Sequence, residues 1–176
     1  MPQDSYRVRI VEHMEISYER IYSAQQCAIL KTMATEISRE HFAPITGVAQ
    51  VDYMMDKFLN IDTVLNEIER DGYIFEFVLC DGVRAGYLAA VNEGERTFLS
   101  KLYLYREYRG RGLATAMLKR VKEIAEGSSS VYLTVNKGND DTIAIYRKWG
   151  FEIIDSVVTD IGGGFVMDDY IMSLDL

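Results

Sequence analysis

The chain has 176 residues, 48% hydrophobic and 26% charged, with a formal net charge of −8. That is the make-up of an ordinary globular protein, long enough to bury a sizeable core and read as a single domain over residues 1–176. The acidic balance weighs against nucleic acid as a partner, no apolar run approaches the ~18 residues that cross a bilayer, and His13 and His41 stand in no ligand-spaced cluster, so no membrane and no metal are expected.

The opening "MPQDSYRVRI" has no hydrophobic leader segment. Cys27 and Cys80 are the only cysteines, which implies free, mostly buried thiols and a cytoplasmic setting. Periodicity predicts that the first ~70 residues are mainly helical. A helix over Ser23–Ala43 puts Ala24, Cys27, Ile29 or Leu30, Met33 or Ala34, and Ile37 on one face, and Pro44 and Gly47 should break it. Two shorter helices follow, "VAQVDYMMDKFLN" and "IDTVLNEIERDG". Met54, Met55 and Phe58 lie at helical spacing that suits plain core or the lining of a pocket.

The period then switches to two. Tyr73–Gly82 and Arg84–Gly94 read as strands joined by Asp81-Gly82, a strong hairpin signal, and Arg96–Tyr105 as a third. A helix over Gly112–Glu126, a strand over Val131–Lys137, a short helix in "DDTIAIYRKWG" and two last strands complete the chain. Gly162-Gly163-Gly164 separates those last strands, and with no helical run after it the reading is a tight hairpin. The expected class is mixed α/β, with one central sheet of six to seven mostly antiparallel strands flanked by helices.

Between the third strand and its helix lies "YREYRGRGLATAML", where Arg106, Arg109 and Arg111 crowd around Gly110 and Gly112. Strand, glycine turn and helix start together make an anion site, because first-turn amides are unpaired and the dipole presents positive charge there. A Walker loop is absent, and a Rossmann fingerprint would need glycine where Thr115 stands. What is left is R-x-x-G-x-A at Arg109, Gly112 and Ala114. Alone, it would also suit a solvated arginine-rich turn. Further on come Asn139, Thr142, Tyr146 and Gly150-Phe151.

With these two spaced motifs the sequence resembles the GNAT superfamily of acetyl-CoA-dependent N-acetyltransferases. That family carries a [Q/R]-x-x-G-x-[G/A] loop after a strand, then N-x-x-A, a tyrosine and Gly-Phe; Thr142 stands where alanine is usual. The tail "IGGGFVMDDYIM" and the helical first third further resemble bacterial polyamine acetyltransferases of the PaiA type.

The resemblance implies acetyl-CoA as co-substrate. Its pyrophosphate would lie on the amides of Arg109, Gly110, Arg111, Gly112, Leu113 and Ala114. The strand before the loop would splay from its neighbour. Leu102, Tyr103 and Leu104 would pair through their backbone with the pantetheine arm, with amides offered to the thioester oxygen. Asn139 would hydrogen-bond near the pantetheine. Tyr146 would be the catalytic acid that protonates the departing thiolate, while Trp149 and Phe151 serve as core.

The base is not given by the motifs. Leu99-Ser100-Lys101 offers no carboxylate at the strand position some relatives use; Asp168, Asp169 or a water relay could serve, although those two aspartates read as an exposed acidic strand edge. The expected reaction is direct attack by a primary amine in a ternary complex, on a small cationic acceptor such as a polyamine. A protein lysine or N-terminal amine is the enzymatic alternative, and a non-catalytic acetyl-CoA sensor the other. Dimers are common in the family, but no surface in the sequence announces a homodimer.

Overall fold

The computed structural model of the protein describes residues 13–176, so the reading of the first twelve residues lies outside it. The described order is β1 (Ile16–Arg20), α1 (Ala24–Thr46), α2 (Val48–Phe58), α3 (Ile61–Glu69), β2 (Ile74–Cys80), β3 (Val83–Asn92), β4 (Arg96–Leu104), a single 3-10 turn at Arg106–Tyr108, α4 (Leu113–Ile124), β5 (Ser130–Asn136), α5 (Asp140–Lys148), β6 (Glu152–Gly162) and β7 (Phe165–Asp175). Seven strands form one sheet in the order β1-β2-β3-β4-β5-β7-β6. Among the described strands only β4 and β5 run parallel, so the sheet is mostly antiparallel.

β1 lies inside the stretch predicted to be helical. It is a short edge strand of five half-buried residues, ISYER, and its single alternation is too brief to override the helical signals that follow. α1 begins at a capping box in which Ser23 Oγ accepts from the Gln26 N–H. It then runs through Pro44 and ends only at Gly47. Pro44 sits in the last turn, where a missing N–H removes one bond and little helix remains to be broken. Gly47, at φ +86°, also serves as the N-cap of α2, so one residue joins the two helices and α2 turns back across the sheet.

Alternation along the strands divides the core in two. Phe75, Phe77, Tyr87 and Ala89 pack with Leu30, Ala34 and Ile37 of α1 and Val64 of α3. On the opposite face, Val78 and Leu88 pack with Leu113 and Met117 of α4, and Leu99, Val131 and Leu133 pack with Val121 of α4 and Ile143 and Tyr146 of α5. α4 is further anchored by Arg120, whose guanidinium grips the buried Glu76 carboxylate of β2 at 2.7 and 2.9 Å. Cys27 and Cys80 are free and buried.

Two irregularities in β4 matter for the site. Its pairing with β3 skips Ser100, since Lys101 faces Ala89 while Leu99 faces Ala90. Ser100 is therefore a bulge residue, and a bulge leaves ladder groups unpaired. Pairing with β5 stops after Phe98–Tyr132. From Leu99 onward the two strands part, while β5 stays paired to β7 as far as Asn136. The sheet thus opens in a wedge at its centre.

Candidate active site

The wedge is closed at its outer end by the loop that the sequence singled out. Tyr108 N–H and Arg109 N–H bond back to the carbonyls of Tyr105 and Arg106 at 3.0 and 3.1 Å. Gly110 (φ +71°) and Gly112 (φ +88°) then swing the chain into α4. A Cβ at either glycine would meet no protein atom within 4 Å; glycine is needed there for the left-handed backbone, and the space beside it is open. Gly112 caps α4 without a side-chain hydrogen bond, so the amides of the first turn keep their donors for an external acceptor.

The arginines are disposed differently from one another. Arg109 folds back and donates from Nε and Nη2 to the Leu104 carbonyl at 3.2 and 3.1 Å, tying the loop to the end of β4. Arg106 pairs with Glu40 of α1 at 3.5 Å, and Arg111 lies over the Tyr108 ring at 5.5 Å. Leu102 and Leu104 turn their side chains into the core on the α4 face, which leaves their backbone as the part available to a ligand. Leu113 is buried beneath the loop and Ala114 packs beside it.

Tyr103 points the other way, against Tyr87 and Phe42 at ring distances of 5.4 and 6.0 Å. Tyr146 comes up from α5 between Trp149 and Phe151. Both tyrosines reach one cavity of about 340 Å³ that runs through the wedge to the inner side of α1 and α2. Burial, with the neighbouring Tyr103, pushes the Tyr146 phenol well above its ordinary value. Burial and Asp169 push Tyr103 up to about 12. Both therefore stay protonated through the neutral range.

Three further residues in this cavity carry chemistry, and a fourth, His41, reaches it through Asn139. Asp169 is not on an exposed edge as its sequence neighbourhood suggested: it is 5% exposed and lines the cavity. Asp168 alone is the outward member, paired with Lys137 at 2.7 Å. Burial, helped by the Asp168 charge, raises the Asp169 carboxyl to about 6. Glu67 of α3 and Lys101 of β4 face the inner end. His41 of α1 donates from Nε2 to Asn139 Oδ1 at 3.0 Å. Asn139 itself is the buried N-cap of α5.

Met54, Met55 and Phe58 of α2 form the apolar wall of the cavity. A more open hollow of about 580 Å³ lies between α1 and the β2–β3 turn, lined by residues such as Glu36, Arg84 and Tyr105. It touches neither Tyr146 nor Asp169. Of the predicted residues, the structure gathers Tyr103, Asn139 and Tyr146 around the wedge and Arg109–Ala114 at its mouth. Sequence reasoning passed over His41, Glu67 and Lys101, because only the fold sets Glu67 near Lys101 and His41 against Asn139.

A seven-stranded sheet parted between β4 and β5, with a glycine loop leading into α4, defines the acetyltransferase architecture. The chain belongs to the acetyltransferase (GNAT) family, whose sequence model matches residues 34–151, and it is an acetyl-CoA-dependent N-acetyltransferase. It is 31% identical over 105 residues to an acetyltransferase of Sodalis glossinidius, covering 58% of this chain and 72% of that one. It is 29% identical over 104 residues to an acetyltransferase of Pectobacterium atrosepticum, with 58% and 72% covered. Among solved structures, the PaiA N-acetyltransferase of Thermoplasma acidophilum in complex with coenzyme A matches with a TM-score of 0.77 and 22% identity, over 93% of this chain and all (100%) of that one. That likeness confirms the fold.

Proposed function

We propose that the protein moves the acetyl group of acetyl-CoA to the primary amine of a small cationic molecule, by direct attack while both substrates are bound. The observation that carries this reading is the cavity itself. It joins the wedge to a walled space of about 340 Å³ under α2, which suits a small amine better than an extended peptide. The polyamine class is the first to test, on the likeness of the fold to the PaiA structure.

The coenzyme pyrophosphate would rest on the amides of Arg109–Ala114, as its charge favours a helix N-terminus. The pantetheine arm would run along the free edge of β4 at Leu102–Leu104, beside Asn139. The thioester oxygen would meet amides freed by the Ser100 bulge, which stabilise charge as it develops. Asp169 would accept the proton of the incoming ammonium, since a carboxyl near 6 is mostly ionised at neutral pH. The amine nitrogen then attacks the carbonyl carbon, the carbon–sulfur bond breaks, Tyr146 protonates the leaving thiolate, and the proton that the new amide nitrogen sheds restores the phenol. Phe or Asn at the two ends would remove one proton step each.

The test is thiol release from acetyl-CoA with spermidine, spermine, small monoamines, amino acids, aminoglycosides and short peptides, each against a no-acceptor background. Release with one class of small amine, reduced in Tyr146→Phe, supports the reading. Release with peptides alone would move the acceptor to protein amines, and binding of acetyl-CoA without any release would favour a sensor.

A further inference from the structure

The inner end of the cavity, away from the wedge, holds two opposite charges that the reaction does not use. Lys101 follows the Ser100 bulge and faces Ala89 on β3, which in turn faces Phe75 on β2. The small Ala89 lets the lysine chain lie across it. Its ammonium sits 5.8 Å over the Phe75 ring and donates to Ser100 Oγ at 3.1 Å. Among the described residues Lys101 forms no ion pair. Glu67 approaches from α3, close enough for the two charges to act on each other. Its Oε2 is buried and, among the described residues, has no hydrogen-bond partner.

A buried acceptor oxygen without a donor is costly and rare in folded proteins. A half-buried ammonium held by one neutral hydroxyl is likewise left with unused donors. Since both groups line the same cavity, a ligand that enters there meets an open acceptor and an open donor together. The two formal charges cancel. A second ammonium on the ligand would satisfy Glu67 but face Lys101, and a carboxylate would do the reverse. A hydroxyl answers both: its oxygen accepts from Lys101 and its hydrogen goes to Glu67 Oε2.

From this juxtaposition we propose that the acceptor is an amino alcohol, a primary amine whose far end carries a neutral hydroxyl docked between Lys101 and Glu67. The proposal rests on the reading of the wedge as the site of acetyl transfer to a small amine. The dock lies above β3 and the wedge between β4 and β5, about one and a half strand spacings apart, or roughly 7 Å, which matches an alkyl chain of about five carbons. Met54, Met55 and Phe58 flank that path with apolar surface.

The experiment compares four primary amines of one length that differ only at the far end: aminopentanol, pentylamine, diaminopentane and aminopentanoate. Turnover is read as thiol release from acetyl-CoA, and binding to the coenzyme-loaded protein is read by calorimetry, for the wild type and for the double variant Glu67→Met with Lys101→Met. Replacing both members by apolar chains of similar shape avoids stranding one charge, so the variant is expected to fold, as its melting curve will show.

In the wild type, aminopentanol should exceed pentylamine by about tenfold or more in kcat/KM and in affinity, because losing the pair of hydrogen bonds strands both protein groups. In the double variant that ratio should fall to about one. A wild-type preference for diaminopentane, for aminopentanoate, or for none of the four overturns the dock. If aminopentanol binds with the expected ratio but no amine is acetylated, the dock stands and the proposed transfer reaction falls. If no amine binds, both are wrong.

Discussion

His41 Nε2–H donates to Asn139 Oδ1 across 3.0 Å, and this one bond joins helices on opposite faces of the sheet. α1 packs with Phe75 and Tyr87 on one side, α5 with Leu99 and Leu133 on the other. The bond passes where β4 and β5 have parted, so it spans the site at the place where the sheet gives no support. His41→Ala and Asn139→Ala should each lower kcat/KM, and the double variant should lose little more than the worse single one. The expected coupling is about 1 kcal/mol, the usual net worth of one hydrogen bond. A double-mutant cycle reads it directly, and purely additive losses would show that the two residues act apart.

Asp169 makes two pH predictions of opposite benefit. Its folded carboxyl titrates near 6, against an ordinary value of 3.8. As a proton acceptor it works only when ionised, so kcat/KM should rise with pH through about 6 and lose that limb in Asp169→Asn. For stability the sign reverses. The folded state holds the proton more tightly than the unfolded chain, so stability is fullest below the ordinary value and declines as pH rises through the folded one. Asp169→Asn should therefore melt higher than wild type at neutral pH, with the gain vanishing under acid conditions. A variant that melts lower at neutral pH would mean the ionised carboxylate is held by partners rather than strained by burial.

For Tyr146, the burial that raises its phenol also fixes its use: it can give a proton and is a poor acceptor at neutral pH. Tyr146→Phe should lower kcat by about 10²-fold or more, the range of general acid catalysis, while the affinity for acetyl-CoA stays near wild type. The ring should still fill its place between Trp149 and Phe151, so the melting point should move little. Unchanged turnover would assign the proton to another donor, with Tyr103 the next candidate across the wedge.

Two glycines separate loop chemistry from strand packing. A Cβ at Gly112 would meet open space, but φ +88° is unfavourable for any other residue, so Gly112→Ala should cost about 1–2 kcal/mol of stability. Gly112→Asp adds a negative charge where the pyrophosphate is expected and should weaken acetyl-CoA binding far more than the alanine does. Gly86 is the opposite case. Its Cβ would lie 2.1 Å from the Tyr103 carbonyl and 2.9 Å from Leu104 Cα. Gly86→Ala must push the free end of β4 outward, costing about 1–3 kcal/mol as overpacking does, and should reduce coenzyme affinity from beneath the loop. Titration calorimetry with acetyl-CoA and thermal melts resolve all three.

Most of the sheet was legible from residues alone, since Asp81-Gly82, the alternation in β2 to β4 and the glycine corner before α4 are local signals. The motif residues Gly112, Asn139 and Tyr146 could be found because their spacing repeats a family pattern. β1 escaped because five residues of an edge strand carry too little periodicity. Pro44 misled because the rule against proline in helices weakens in a last turn. Lys101, Glu67 and His41 were illegible for a different reason. Nothing near them in the chain announces a site, and only the fold, with its bulge at Ser100, sets Lys101 near Glu67 and His41 against Asn139. Asp169 looked like surface because its neighbour Asp168 is surface, and alternation on a strand puts adjacent residues on opposite sides.

The last hairpin has a bearing on how the enzyme comes into being. Tyr53 and Lys57 of α2 both donate to the Ile161 carbonyl, and Gln50 donates to the Val166 carbonyl at 2.8 Å, while Gly163 lies so near the Tyr53 ring that a Cβ there would come within 2.8 Å of it. β7 also inserts between β5 and β6 and brings Asp169 with it. In chain order, therefore, the proposed coenzyme loop and Tyr146 precede the strand that braces α2 and carries Asp169. On the proposed reading, the acceptor wall and the proton acceptor are completed in one event, when the eleven-residue β7 pairs between its two neighbours.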